Sequence, residues 1–205
     1  VIDLGAVVLC GGKSTRMGTP KHLLSFGKTT LLERVVERVA RVVDHVVVVA
    51  AAGQPLPPLP ERVRVAFDTA PDRGPLEGLA VGLMSLEKDV RLAFVTTADA
   101  PFVASSVVRR LAALCDGTAA IPKLEGRTHP LTAVYATHLG AVARRLVEAG
   151  ERRASTLGDR TMARLVAREE MLDDPLVAAE DPQLATFRNL NTPEDYEAAR
   201  RALSG

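Results

Sequence analysis

Short apolar runs rich in β-branched residues alternate along this chain with stretches whose apolar positions recur at helical spacing. That alternation predicts an α/β fold, with strands joined by crossover helices in a mainly parallel sheet. The expected strands are Leu4–Cys10, Val46–Ala51, Val63–Phe67, Leu92–Thr97, Ala119–Pro122 and Leu131–Ala136, with a short one at Phe187–Leu190. A helix is expected from Thr30 to Arg41, where Thr30 and Glu33 have capping-box spacing and Leu32, Val35, Val36 and Val39 form a stripe. Further helices are expected at Leu76–Leu86, at Ser105–Leu114 closed by Gly117, at His138–Ala149 and at Thr156–Ala167. The last, Pro193–Leu203, has Thr192 at its cap and Pro193 in its first position.

Gly53–Pro60 holds four prolines and one glycine, which excludes helix and interior strand and predicts a surface loop. The acidic run Leu172–Pro182 carries little pattern and also reads as a loop. No internal repeat is present, and the 205 residues are expected to form one domain, 1–205.

Composition removes several classes of function. A net charge of +1 and 3% aromatic residues do not suit a dedicated nucleic-acid surface, which needs a basic excess and stacking rings. The longest apolar run, Val46–Ala52, is far shorter than the roughly 20 residues of a membrane span, and no secretory leader pattern opens the sequence. Cys10 and Cys115 have no metal-ligand spacing to each other or to the histidines. These features predict a soluble, cytoplasmic protein.

Candidate chemistry begins where the first strand ends. Leu9-Cys10-Gly11-Gly12-Lys13-Ser14-Thr15-Arg16-Met17-Gly18-Thr19-Pro20-Lys21 leaves the carboxyl edge of the sheet, where open α/β folds bind ligands. Its glycines let backbone N–H groups approach an anion, and Lys13, Arg16 and Lys21 add donors suited to phosphate oxygens. A Walker loop is excluded, because that motif needs a glycine five residues before Gly12, where Val7 stands. Asp99 follows a buried strand onto the same edge and has the chemistry to hold Mg²⁺ against a triphosphate, or else to cap the next helix. Asp68 ends the third strand, and Gly74-Pro75-Leu76-Glu77-Gly78 either lets backbone lie against a ligand or leads into a helix.

Leu-x-Gly-Gly-x-Ser-x-Arg-Met-Gly followed by lysine resembles the signature of the NTP-transferase-like nucleotidyltransferases. Gly-Pro-Leu-x-Gly, the Arg127-His129-Pro130 segment, Gly150-Glu151-Arg152-Arg153 and Asn189-Leu190-Asn191-Thr192-Pro193-Glu194-Asp195 narrow the resemblance to the molybdenum cofactor guanylyltransferase family. It runs from Leu4 to about Ala199 and implies a Rossmann-like, three-layer α/β fold with a mostly parallel central sheet. The resemblance implies transfer of GMP from GTP to molybdopterin with release of pyrophosphate, with Mg²⁺ as cofactor. Transient contacts with cofactor-synthesis proteins or molybdoenzymes are further implied.

Residue by residue, the resemblance places Leu9, Cys10, Gly11, Gly12, Lys21, Asp68 and Asp99 on the nucleotide, with Asp99 also on the metal. Arg16, Lys21 and Asp99 are the implied catalytic residues, and Gly74, Gly78, Arg153, Asn189 and Asn191 face the acceptor or complete the site. His129 is the only histidine inside such a motif. Two departures keep an alternative open: Pro20 stands where guanylyltransferases commonly have aspartate, and Val49-Ala50-Ala51 lacks the family's asparagine. Both leave room for a cytidylyltransferase or another sugar- or polyol-phosphate nucleotidyltransferase. A non-catalytic nucleotide-binding regulator is the alternative of a different class.

Overall fold

The computed structural model describes residues 3–11, 20–68 and 73–204. Strand β1 (Leu4–Cys10) is buried along its whole length and lies at the centre of an eight-stranded sheet. β4 (Val46–Ala51) pairs beside it in parallel, and β5 (Val63–Asp68) pairs beyond β4. On the other side β6 (Leu92–Thr97) pairs parallel to β1, with Leu9 opposite Thr97. Antiparallel β9 (Ala133–Ala136) separates β6 from β7 (Ala119–Leu124), and β10 (Arg164–Ala167) forms the far edge. Short β8 (Arg127–Thr128) folds back on β7.

Side chains alternate across β1, so the sheet has two apolar faces. Leu4, Ala6, Val8 and Cys10 point to one cluster, where they meet α1 (Leu31–Val39), α3 (Ser105–Leu114), α6 (Arg168–Leu172) and α7 (Pro175–Glu180). Val7 and Leu9 point to the other, covered by α2 (Pro75–Leu86), α4 (Leu139–Glu148) and α5 (Ser155–Arg160). Helices joining strands of a mainly parallel sheet are what the apolar pattern predicts, and the three layers are those the family resemblance implies. A smaller cluster joins the hairpin of β2 (Ser25–Phe26) and β3 (Thr29–Thr30) to Leu190 and to α8 (Pro193–Ser204), through Phe26, Leu31, Tyr196 and Ala199. The Tyr196 hydroxyl donates to the Ser25 carbonyl, which fixes the last helix on that hairpin.

The expected caps are present. Thr30 Oγ1 accepts from Glu33 N at 3.2 Å while Glu33 Oε2 accepts from Thr30 N at 2.7 Å. Thr192 and Asp195 make the same reciprocal pair at α8, at 3.1 and 2.9 Å. At α3, by contrast, the capping acceptor comes from far along the chain. Glu180 carboxylate oxygens accept from Ser105 N and Ser106 N, at 3.2 and 2.8 Å.

Three expected elements differ. Thr156–Ala167 is not one helix: α5 ends at Arg160, Met162 takes a left-handed backbone with φ of 52°, and the chain re-enters the sheet as β10. Val166 is then buried and Leu165 exposed, which is strand alternation over too few residues to overcome the helical spacing before it. Leu172–Pro182 contains a helix, α7, started by Asp174 accepting from Leu176 N and by Pro175 in the first position. Phe187–Leu190 is not a strand. Asp181 accepts from Ala185 N and Thr186 N, winding Ala185–Phe187 into a 3-10 turn.

Candidate active site

From β1 the chain goes to β4 and β5 on one side, then returns to β6 on the other, so the order reverses between β1 and β6. Ligands of open α/β sheets bind outside the carboxyl ends of strands at such a point. Here Ala98 N donates to Leu9 O at 2.9 Å, holding the ends of the two strands together. Two adjoining hollows open above them, sharing Leu9, Gly11, Thr97 and Leu131.

One hollow is mostly apolar and runs over β4 toward β5, lined by Val49, Ala50, Ala51, Asp68, Gly74, Pro75 and Gly78. Gly74 has φ of 76°, and a Cβ there would stand 2.8 Å from the Arg152 carbonyl oxygen, so both conformation and space require glycine. The same carbonyl accepts from Leu76 N at 3.2 Å, which ties the start of α2 to the segment after α4. At Gly78 a Cβ would press on Leu9, at 3.3 Å from Cδ2. Here the glycine lets α2 lie close to the strand that forms the floor.

The other hollow is polar, lined by Cys10, Lys21, His22, Ala98, Asp99 and Asn189. Lys21 Nζ lies 3.7 Å from Asp99 Oδ2, with both side chains about four-fifths buried. Thr97 Oγ1 donates to Asp99 Oδ1 at 2.6 Å, and Asp99 O accepts from Leu190 N at 2.9 Å. The carboxylate is therefore held from its own strand, and its backbone anchors the segment carrying Asn189.

The structure brings together Leu9, Cys10, Gly11, Lys21, Asp68, Gly74, Gly78, Asp99 and Asn189. Arg153 and Asn191 stand outside these linings. The Arg153 side chain is exposed, 3.8 Å from Glu151, whose carboxylate accepts from Arg152 N and Arg153 N. Those backbone donors hold the Glu151 carboxyl at about 2, far below the usual range. Asn191 is exposed, and its N–H donates to Asp195 as part of the α8 cap. Gly12 and Arg16 lie outside the described residues.

Thr97, His22 and Gln54 belong to the site or its wall although no motif pointed to them. Thr97-x-Asp99 has the spacing of a local hydroxyl-to-carboxylate bond and was the one readable signal. His129, which the motif did single out, is half-buried with its ring edge-on to Phe187 at 5.3 Å. Burial and the neighbouring Arg127 charge push its pKa down.

Cys10, in the wall beside Asp99, has its thiol pushed up to about 12. Burial is the main cause, opposed by a hydrogen bond from Gln54 and reinforced by the Asp99 charge. In the folded protein at pH 8, Cys10 is expected to resist iodoacetamide, because the thiolate is the nucleophile. Peptide mass mapping checks this, and rapid labelling of Cys10 would show that the wall opens to solvent.

Metal chemistry has a suitable but sparse donor set. No group of three or more His, Cys, Asp or Glu side chains is placed to hold an ion among the described residues. Asp99 nevertheless offers a carboxylate in the polar hollow that Thr97 and Asn189 also line. Mg²⁺ commonly binds through one or two carboxylates with water and substrate phosphates, so these residues fit it.

A mostly parallel, doubly wound sheet with a lysine and a carboxylate facing each other at the switch point is a site built for an anionic ligand such as a nucleotide. The chain belongs to the MobA-like NTP transferase domain family, whose model matches residues 6–185. A Mycobacterium tuberculosis protein named "Probable molybdenum cofactor guanylyltransferase" is 42% identical over 164 residues, covering 77% of this chain and 80% of that protein. A Methanosarcina mazei protein of the same name is 37% identical over 203 residues, covering 94% and 88%. The crystal structure of molybdopterin-guanine dinucleotide biosynthesis protein A from Archaeoglobus fulgidus shares the fold, with a TM-score of 0.75, 24% identity and 98% of each chain covered. No helix among the described residues is long and apolar enough to cross a membrane.

Proposed function

We propose that this protein transfers GMP from GTP to molybdopterin, forming the guanine dinucleotide cofactor and pyrophosphate. The observation that carries the reading is the convergence of Lys21 and Asp99, beside an apolar hollow bordered by Asp68. A base fits the apolar hollow and the phosphates fit the polar one. Asp68 suits guanine, whose edge carries adjacent N–H donors that a carboxylate accepts. The two curated relatives bear the corresponding name.

In this reaction the terminal phosphate oxygen of molybdopterin attacks the α-phosphorus of GTP in line. A bond forms between them as the bond to the β-phosphate oxygen breaks, and pyrophosphate leaves without a covalent enzyme intermediate. Catalysis then consists of alignment and charge neutralisation. Lys21 neutralises the reacting phosphates, and the loop amides with Arg16 hold the leaving group, a role assigned to Arg16 by its motif alone. Asp99 would hold Mg²⁺, which would supply neutralisation of phosphate charge. Asn189, which lines the polar hollow, orients the acceptor phosphate; Gly74 and Gly78, which the resemblance gives to the acceptor, border the hollow assigned here to the base, and Arg153 and Asn191 stand outside both. Cytoplasmic placement belongs to the same proposal, and the free thiols of Cys10 and Cys115 suit a reducing compartment.

Pro20 and the absence of asparagine at the end of β4 favour a second reading, transfer of CMP from CTP. Incubation with Mg²⁺, molybdopterin and either GTP or CTP, following pyrophosphate, separates the two. Turnover is expected with GTP. Turnover with CTP alone assigns the cytidylyl reaction, and nucleotide binding without pyrophosphate release assigns a regulator.

A further inference from the structure

Gln54 lies in the proline-rich segment between β4 and β5, outside every motif that describes the site, yet its side chain reaches three parts of the site wall. Its Oε1 accepts from Ala51 N at 3.0 Å, at the end of β4. Its Nε2 donates to Cys10 O at 2.6 Å, at the end of β1, and lies 3.4 Å from Cys10 Sγ. The same nitrogen is 3.2 Å from His22 Nδ1 and 3.3 Å from His22 Nε2. Near-equal distances to both ring nitrogens put the amide over the face of the imidazole, an N–H to π contact. The ring edge is engaged elsewhere: Nε2 is 2.8 Å from Pro55 O. A carbonyl only accepts, so His22 Nε2 carries the proton.

These contacts have a common geometric result. Cys10 and His22 belong to the two stems of the glycine-rich loop, one where the chain leaves β1 and one where it returns through the 3-10 turn Lys21–Leu23. His22 is buried although it sits in a short turn beside an apolar strand end. Gln54 spans the two stems and fixes both to β4, while the Pro55 carbonyl holds the ring at its Nε2 edge. Lys21 is the residue next to the clamped ring.

We propose that Gln54 and His22 form a clamp that closes the stems of the phosphate loop and so positions Lys21 against Asp99. Both are positioning residues: neither needs to touch substrate. The inference rests on the nucleotidyl-transfer reading of Lys21, and its test keeps the two apart. In the protein without substrate, the side-chain ¹³Cε signal of Lys21 is identified by its loss in Lys21→Ala and is expected to respond to Asp99→Asn. In Gln54→Met, and separately in His22→Leu, it should move toward the position of exposed lysines and lose that response.

In the pyrophosphate assay both variants should lose about 10-fold to 100-fold in kcat, the cost of misplacing a catalytic group by a fraction of its reach, with KM for GTP nearly unchanged. Introduced into Lys21→Ala, Gln54→Met should add almost no further loss, because it acts through the lysine already removed. A Lys21 signal that neither variant moves would overturn the clamp. So would rate losses that multiply with Lys21→Ala. If the lysine signal behaves as expected but the native protein turns over neither nucleotide, the clamp stands and the transfer reading falls.

Discussion

Asp99→Asn is expected to fold normally and to lose on the order of 10²-fold to 10³-fold in the rate of pyrophosphate release, the scale of removing one preorganised charge-stabilising contact. The substitution keeps side-chain volume, and an amide oxygen still accepts from Thr97 Oγ1, which now contacts Asp99 Oδ1 at 2.6 Å. The backbone bond from Leu190 N to Asp99 O is untouched, so the Asn189 segment keeps its anchor. What disappears is the negative charge facing Lys21 at 3.7 Å. Two consequences follow in the assay: the response to Mg²⁺ concentration weakens, and excess metal only partly restores the rate. An unimpaired variant with a native circular dichroism spectrum would show that this carboxylate holds no metal during turnover.

Arg144→Leu is expected to destabilise the protein by about 3–5 kcal/mol, the cost of leaving a buried charge unpaired. For a chain of this size that corresponds to a fall in Tm of roughly 6–20 °C. The reason lies in α2, where Glu77 is 1% exposed and both its carboxylate oxygens accept from Arg144 Nη1, at 2.8 and 2.7 Å. Glu77 stands between Gly74 and Gly78, so its partner on α4 sets how α2 leaves the site. Replacing both partners, Glu77→Met with Arg144→Leu, should recover most of the loss, because an apolar pair removes the unpaired charge instead of creating one. Thermal denaturation followed by circular dichroism measures both variants. A single substitution no worse than the double one would show that the pair carries no such penalty.

Glu77 also illustrates what a motif conceals. In the sequence it is the unspecified position of Gly-Pro-Leu-x-Gly, with the glycines as the apparent content. In the structure Gly74 is required by its backbone conformation and its contact with Arg152, and Gly78 sits close under Leu9, but the residue between them anchors the helix to a partner 67 positions away. Strand β10 is the opposite case. Its four residues follow a helical stretch closely enough to share its spacing, and only pairing with β7 decides that they are extended.

What the sequence determined by itself is local chemistry and periodicity: the buried strands from short apolar, β-branched runs, the caps at Thr30 and Thr192, and the glycine-rich, lysine-bearing loop after β1. These depend on neighbours within a few residues, which is where steric and capping preferences act. Only the tertiary structure decided which of the chemically apt residues meet. It set Lys21 against Asp99 at the switch point, left Arg153 and Asn191 outside the hollows, and brought Gln54 from an unpatterned loop to the stems of the phosphate loop. Contacts of that kind follow from strand order and helix packing over dozens of residues, and no local spacing carries them.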